Sequence, residues 1–259
     1  MKPLEPSARL STMIVPLRLA DLQNDRSETG RFLENVGLYQ PGSTWGFVLV
    51  RTSGADAASN ATWDIAMEKF HQLLRFGFAF ERLHDGGSDI ALEDMAMSKF
   101  RLVVLDDSVL QAADDDQIRA RFADWVQQQG HDLDEISSQA RACLVIDDAA
   151  MRVIAATPEP SVDRPGLTDS AYVRVLDGAW DYTSEEAREQ CKGDNCFYDG
   201  WMRTTIAGLP RMWLEFDGQS MCEFCPFAEI EGQIPLYNGS NDGELLNPDT
   251  GLPCPRRYC

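Results

Sequence analysis

Basic residues are scarce. The chain has 23 lysines and arginines against 42 aspartates and glutamates, a formal net charge of −19 over 259 residues. Binding to a phosphate backbone rests on clustered cations that displace counterions. The longest basic run here is the pair Arg256-Arg257. Nucleic acid and anionic membrane surfaces are therefore disfavoured as partners, and a basic protein or a small molecule fits better. Long apolar runs are missing too: nothing approaches the ~18 residues that a membrane span needs. The early patch Met13-Ile14-Val15 is cut off by Pro16 and is too short for a secretion signal, so a cytoplasmic location is expected. Neither G-x-S-x-G, G-x-G-x-x-G, a P-loop nor H-E-x-x-H occurs, which removes the enzymes those motifs define. A dispersed Ser-His-Asp triad escapes such a search, but nothing points to one. Disorder of the whole chain is excluded as well, because 44% apolar and 25% charged residues are globular values.

The length suits one large domain or a domain with an elaborated tail. Residues 1–44 read as a lead-in with a short helix around Gly30–Val36. Residues 45–180 read as an α+β core, and 181–259 as a helical, cysteine-rich tail packed on it. Three runs, Trp45–Arg51, Phe100–Leu105 and Ala142–Ile146, are apolar at nearly every position and read as strands. Tyr172–Leu176 alternates as an outer strand would. A helix is expected from Ser59 or Asn60 to about Phe76, stopped by Gly77 and followed by a short strand at Phe78–Leu83. Weaker helices are expected at Ala91–Ser98 and Ala149–Ala155. Asp114-Asp115-Asp116 opens another helix and Gly130 ends it. Beyond Trp180, helices are expected at Glu185–Gln190, Asp199–Ile206 and Leu209–Phe216, with an extended, irregular end from Cys222. The element order suggests a ferredoxin-like antiparallel sheet with helices on one face plus a cysteine-rich extension. The alternative is a small doubly wound α/β sheet, which the three apolar strands favour.

Two aspartate pairs close apolar strands: Asp106-Asp107 and Asp147-Asp148. If their strands are neighbours of the same polarity, four carboxylates meet at one sheet edge as a general acid/base or divalent-cation site. The competing reading is that aspartate simply forms turns at strand exits. Trp180, Tyr198, Trp201 and Trp213 are candidates to line a ligand pocket, or else to anchor the tail on the sheet. Six of the seven cysteines follow residue 190. Cys222 and Cys225, with Cys191 and Cys196 or with Cys254 and Cys259, have spacings that suit a structural zinc site. Disulfide staples or unlinked thiols remain open for the same residues. Glu68-x-x-His71 lies on a polar helix stripe and reads as a solvated face, and His84 as part of a solvated loop.

The motifs Trp45-Gly46-Phe47 with Arg51-Thr52, Phe122-x-x-Trp125-Val126, Cys143-Leu144-Val145-Ile146-Asp147 and Tyr198-x-Gly200-Trp201-Met202-Arg203 occur in that order. In this the chain, from about Trp45 to Phe216, resembles a large group of uncharacterised filamentous-fungal proteins. The resemblance implies a fungal origin and membership of a lineage-expanded set of the kind that serves specialised metabolism or recognition. It carries no established activity and so no catalytic residue. The cysteine-rich end departs from the group's pattern.

The functional expectation is a small-molecule-binding protein or tailoring enzyme of fungal specialised metabolism, with a pocket between the sheet and the aromatic C-terminal helix. The alternative is a non-catalytic interaction protein that meets a partner through its acidic surface.

Overall fold

The three apolar runs become the parallel half of one sheet. The computed structural model describes residues 27–38, 40–85, 89–131, 138–161, 170–180, 198–216, 219–226, 232–239 and 243–254. In chain order the elements are α1 (Glu28–Asn35), β1 (Trp45–Arg51), α2 (Ala57–Asp85), α3 (Ile90–Lys99), β2 (Phe100–Leu105), α4 (Asp115–Gln128), α5 (Ser138–Arg141), β3 (Ala142–Ile146) and α6 (Asp148–Ala156). After them come β4 (Tyr172–Asp177), β5 (Trp201–Thr205), α7 (Leu209–Glu215), α8 (Met221–Phe224), β6 (Ile234–Tyr237) and β7 (Glu244–Leu246). The seven strands among the described residues join one mixed sheet in the order β2-β1-β3-β4-β5-β6-β7. β1 runs parallel to β2 and β3, and β5 parallel to β6. The β3/β4, β4/β5 and β6/β7 pairs are antiparallel. It follows that β1, β2, β3, β5 and β6 point the same way and share one carboxyl edge.

The fold is mixed α/β as expected, but it is not a ferredoxin-like antiparallel sheet. The reason lies in the burial of the strands. Every residue of β1 and of β3 is buried, which demands cover on both faces. Trp45, Phe47, Leu49, Leu144 and Ile146 face one core, which α1, α2, α3, α6 and α7 complete. Val48, Val50, Cys143 and Val145 face a second core, closed by Ile118, Phe122 and Val126 of α4. Helices thus cover both faces rather than one. The link from β1 to β2 packs on the first face, and the link from β2 back past β1 to β3 packs on the second. Crossovers that reverse both direction and face keep the same hand, which is the logic of the doubly wound alternative.

Two helix assignments change. The helix that starts near residue 57 does not stop at Gly77 but runs on to Asp85. Phe78 and Ala79 are buried, and Phe78 packs edge-on against Phe32 and Trp45, so the apolar stripe continues through the expected strand. Residues 201–205 form a strand, β5, where a helix was expected. The tail therefore contributes β5, β6 and β7 to the sheet itself. The short helix expected at Glu185–Gln190 lies outside the described residues. Among the described residues no helix is long and apolar enough to cross a membrane.

Candidate functional site

The carboxyl edge holds the four aspartates singled out from the sequence. Arg51 ends β1 and is buried, with 3% of its side chain exposed. A buried guanidinium needs partners for its donors. Its Nε donates to Ser53 Oγ at 2.9 Å and its Nη1 to Asp106 Oδ2 at 3.3 Å. Its Nη2 donates to the Gly54 carbonyl and to Asn60 Oδ1, both at 2.7 Å. The Trp63 ring lies 4.7 Å away, where a cation is attracted to the ring face. Arg51 thereby fixes the loop that joins β1 to α2.

The four strand-end aspartates lie along this edge, because β2 and β3 share a direction, but the strands are not neighbours and the two pairs do not meet. They flank β1 instead. Each also has a local task. Asp106 pairs with Arg51, and Asp107 pairs with Arg121 Nε at 2.7 Å. Asp147 caps α6 by accepting from Ala150 N at 2.8 Å, and Asp148 occupies that helix's first turn. The neighbouring helices follow the same rule. Asp56 accepts from Ala58 N and Ser59 N at the start of α2, and Asp114 forms a capping box with Gln117 at the start of α4. Helix N-termini at this edge commonly bind phosphate in doubly wound folds. Here carboxylates hold those N-termini, so the edge repels anions. Among the described residues no group of three or more His, Cys, Asp or Glu is arranged to hold a metal ion.

Further along the same edge, at the ends of β5 and β6, the chain leaves a groove of about 710 Å³. Its walls are α1, the middle of α2, the start of α7 and the turn at Asn238-Gly239. Two glycines let these elements close up. A Cβ on Gly77 would run into the Ala207 carbonyl, and one on Gly208 would press on Thr205 Oγ1 and on the backbone at Asn238 and Gly239. Thr29 Oγ1 donates to the Phe78 carbonyl at 3.3 Å and ties α1 to α2. Phe76, Phe80, Pro210 and Leu214 supply apolar wall, and Asn35 and Asn238 supply amides. Arg211 also lines the groove, with its Nε donating to Glu215 Oε1 at 2.9 Å. The Tyr237 hydroxyl lies beside that pair. Burial, and then the charge of Glu215, push its pKa well above the ordinary phenol value.

The four aromatic candidates do not gather. Trp180 and Tyr198 meet edge-on at 5.0 Å. Tyr198 donates to Asp177 Oδ2 at 2.9 Å. Burial raises the pKa of Asp177, and burial together with the Asp177 charge raises that of Tyr198 far more. Trp201 packs against the α4 side of the sheet. Trp213 packs edge-on against Phe47 at 5.3 Å and against Trp45 at 6.1 Å, as a core residue. None of the four lines the groove, although Trp213 sits on the helix whose other side does.

Cys222 is half-buried on α8, and Cys225 is buried at its end. Both lie within electrostatic reach of Tyr198. Cys143 is a core thiol whose pKa burial pushes up to about 12. Cys143, Cys222 and Cys254 carry no disulfide among the described residues. Cys191, Cys196 and Cys259 lie outside the described residues.

The groove was not found from the sequence. Gly77 was the available signal, and it reads as a helix stop rather than as a point of close approach. With the geometry in place, comparison with protein-family models, with curated proteins and with solved structures finds no match for this chain.

Proposed function

We propose that this protein binds a small molecule in the groove between α1, α2 and α7, in the specialised metabolism of a filamentous fungus. The groove itself supports this most. Its volume of about 710 Å³ falls within the ~300–1,000 Å³ usual for ligand sites, and it lies at the carboxyl ends of parallel strands. Phe76, Phe80 and Leu214 suit an apolar ligand body, and the amides of Asn35 and Asn238 suit hydrogen-bonding groups at its rim. Arg211 is already matched by Glu215, which favours a neutral ligand over an anionic one. The resemblance to the fungal group supports the biological setting. Cys222 and Cys254, which carry no disulfide among the described residues, fit a reducing, cytoplasmic one. The test is native mass spectrometry of protein purified from its natural source, compared with a Leu214→Trp variant that fills the groove. A retained small molecule lost on Leu214→Trp supports the reading. Protein that arrives without ligand, or ligand that persists in the variant, sinks it.

A structural zinc ion held by Cys191, Cys196, Cys222 and Cys225 belongs to the same reading. Cys222 and Cys225 lie within one turn of each other at α8, a spacing that supports it. Metal analysis should find close to one zinc per chain, and a value near zero removes it.

An acidic surface for a basic protein partner is the second reading. The aspartates gathered at the carboxyl edge favour it: Asp56, Asp106, Asp107, Asp114, Asp147 and Asp148. Salt-sensitive retention on a column of basic protein, lost when Asp148 and Asp106 become Asn, is the expected result. Retention unchanged by those substitutions counts against it.

A further inference from the structure

We propose that β2 is a homodimerisation edge, to which a second copy of the chain adds its own β2 in antiparallel pairing. This is independent of the groove. The sheet has two edges, and they differ. β7 is three residues long and its end is bridged to Pro253. β2 is six residues long, and among the described residues no strand lies beyond it. Proline and shortness blunt an edge, and the β2 edge has neither.

The pleat tells which backbone groups of β2 are open. The Arg101 carbonyl points at β1, since a Cβ on Gly46 would run into it. Backbone groups alternate along a strand, so Arg101, Val103 and Leu105 bond to β1 while Phe100, Leu102 and Val104 turn their N–H and C=O outward. Arg101 Nη1 takes the Phe100 carbonyl at 2.7 Å and the Phe100 N–H donates to the Met97 carbonyl, so the open groups of the edge are those of Leu102 and Val104. Val104 adds apolar surface at this edge, with 41% exposed.

Charge selects the occupant. The strand begins with Lys99 and Arg101 and ends with Asp106 and Asp107. Lys99 Nζ is held by the Gln40 carbonyl at 2.8 Å, whereas Arg101 spends only Nη1, on the Ser98 and Phe100 carbonyls, and keeps Nε and Nη2 for the edge. Antiparallel pairing of two copies brings each Arg101 to the other's aspartate pair, twice over, across a twofold axis. Asp106 and Asp107 bond Arg51 and Arg121 through Oδ2. Among the described residues neither uses Oδ1, which is the atom a partner's guanidinium would meet. A foreign strand of one charge sign matches only one end. The net charge of −19 opposes approach, but at physiological ionic strength screening over ~8 Å leaves the contact to its local pairs.

Sedimentation analysis over a concentration series tests this. The wild-type chain should pass from one to two copies as concentration rises. Arg101→Asp sets like charges opposite each other and should raise the dissociation constant about tenfold. Val104→Pro deletes an outward N–H and leaves the ladder to β1 intact, so no dimer should form. Circular dichroism checks that both variants stay folded, and Arg101→Asp, a surface change, keeps the test alive if the proline variant does not. A wild-type chain monomeric throughout, or a dimer that both variants leave unchanged, overturns the proposal.

Discussion

The two ends of the carboxyl edge occupy equivalent places in one sheet and are put to opposite uses. At the exits of β1, β2 and β3 the chain's own side chains engage the loops and the helix N-termini. Arg51 closes the loop after β1, Arg121 answers Asp107, and aspartates cap α2, α4 and α6. At the exits of β5 and β6 the chain approaches as closely as backbone allows, through Gly77 and Gly208, and still leaves about 710 Å³ open. The filled end supplies rigidity and charge. The open end supplies space. A topological position predicts where a site can form, and the local side chains decide whether it does.

Substitutions that attack each end separately sharpen the contrast. The largest effect is expected at the filled end. Arg51→Met removes the hub of five hydrogen bonds and strips the buried Ser53 Oγ, and also Asn60 Oδ1, of their donor, costing about 3 kcal/mol. Urea unfolding measures that loss, and groove binding should survive in the folded fraction. Gly77→Ala comes next, at about 2 kcal/mol, because its methyl group must push α2 away from the Ala207 backbone. Unlike Arg51→Met, it should also weaken ligand binding, since it moves two walls of the groove. Leu214→Trp should change stability least, by under about 1 kcal/mol, and abolish binding, because the new side chain enters open space. If Arg51→Met lost ligand binding as completely as Leu214→Trp, the two ends would not be separable.

Much of the fold was legible because the informative residues lie in runs. β1, β2 and β3 appear as apolar stretches, and Asp114 and Gly130 mark the limits of α4 as capping chemistry dictates. The glycines show why reading stops there. Gly130 has φ +78° and ends a helix, whereas Gly77 stays helical and serves only to admit a neighbouring backbone. Sequence does not distinguish these two uses. β5 was misread for a related reason. Thr204 and Thr205 look like surface residues but are buried, the first donating to the Thr205 carbonyl and the second accepting from Gly208 N. The strand-end aspartates were expected to meet at one edge only if their strands were neighbours of the same polarity. That β1 would lie between them, with a buried arginine at its end, depended on strand order. The groove depended on α1 and β6 approaching α2 and α7, contacts that leave no periodic trace.

The packing of Trp213 against Trp45 and Phe47 also has a meaning for synthesis of the chain. β1 emerges from the ribosome early, and the helix that covers this part of its first face emerges only after β5. For most of translation two large aromatic rings of a central strand lack their final neighbour. Nascent chains ending before Leu209 should therefore bind chaperones or aggregate, while those extending past Phe216 should not.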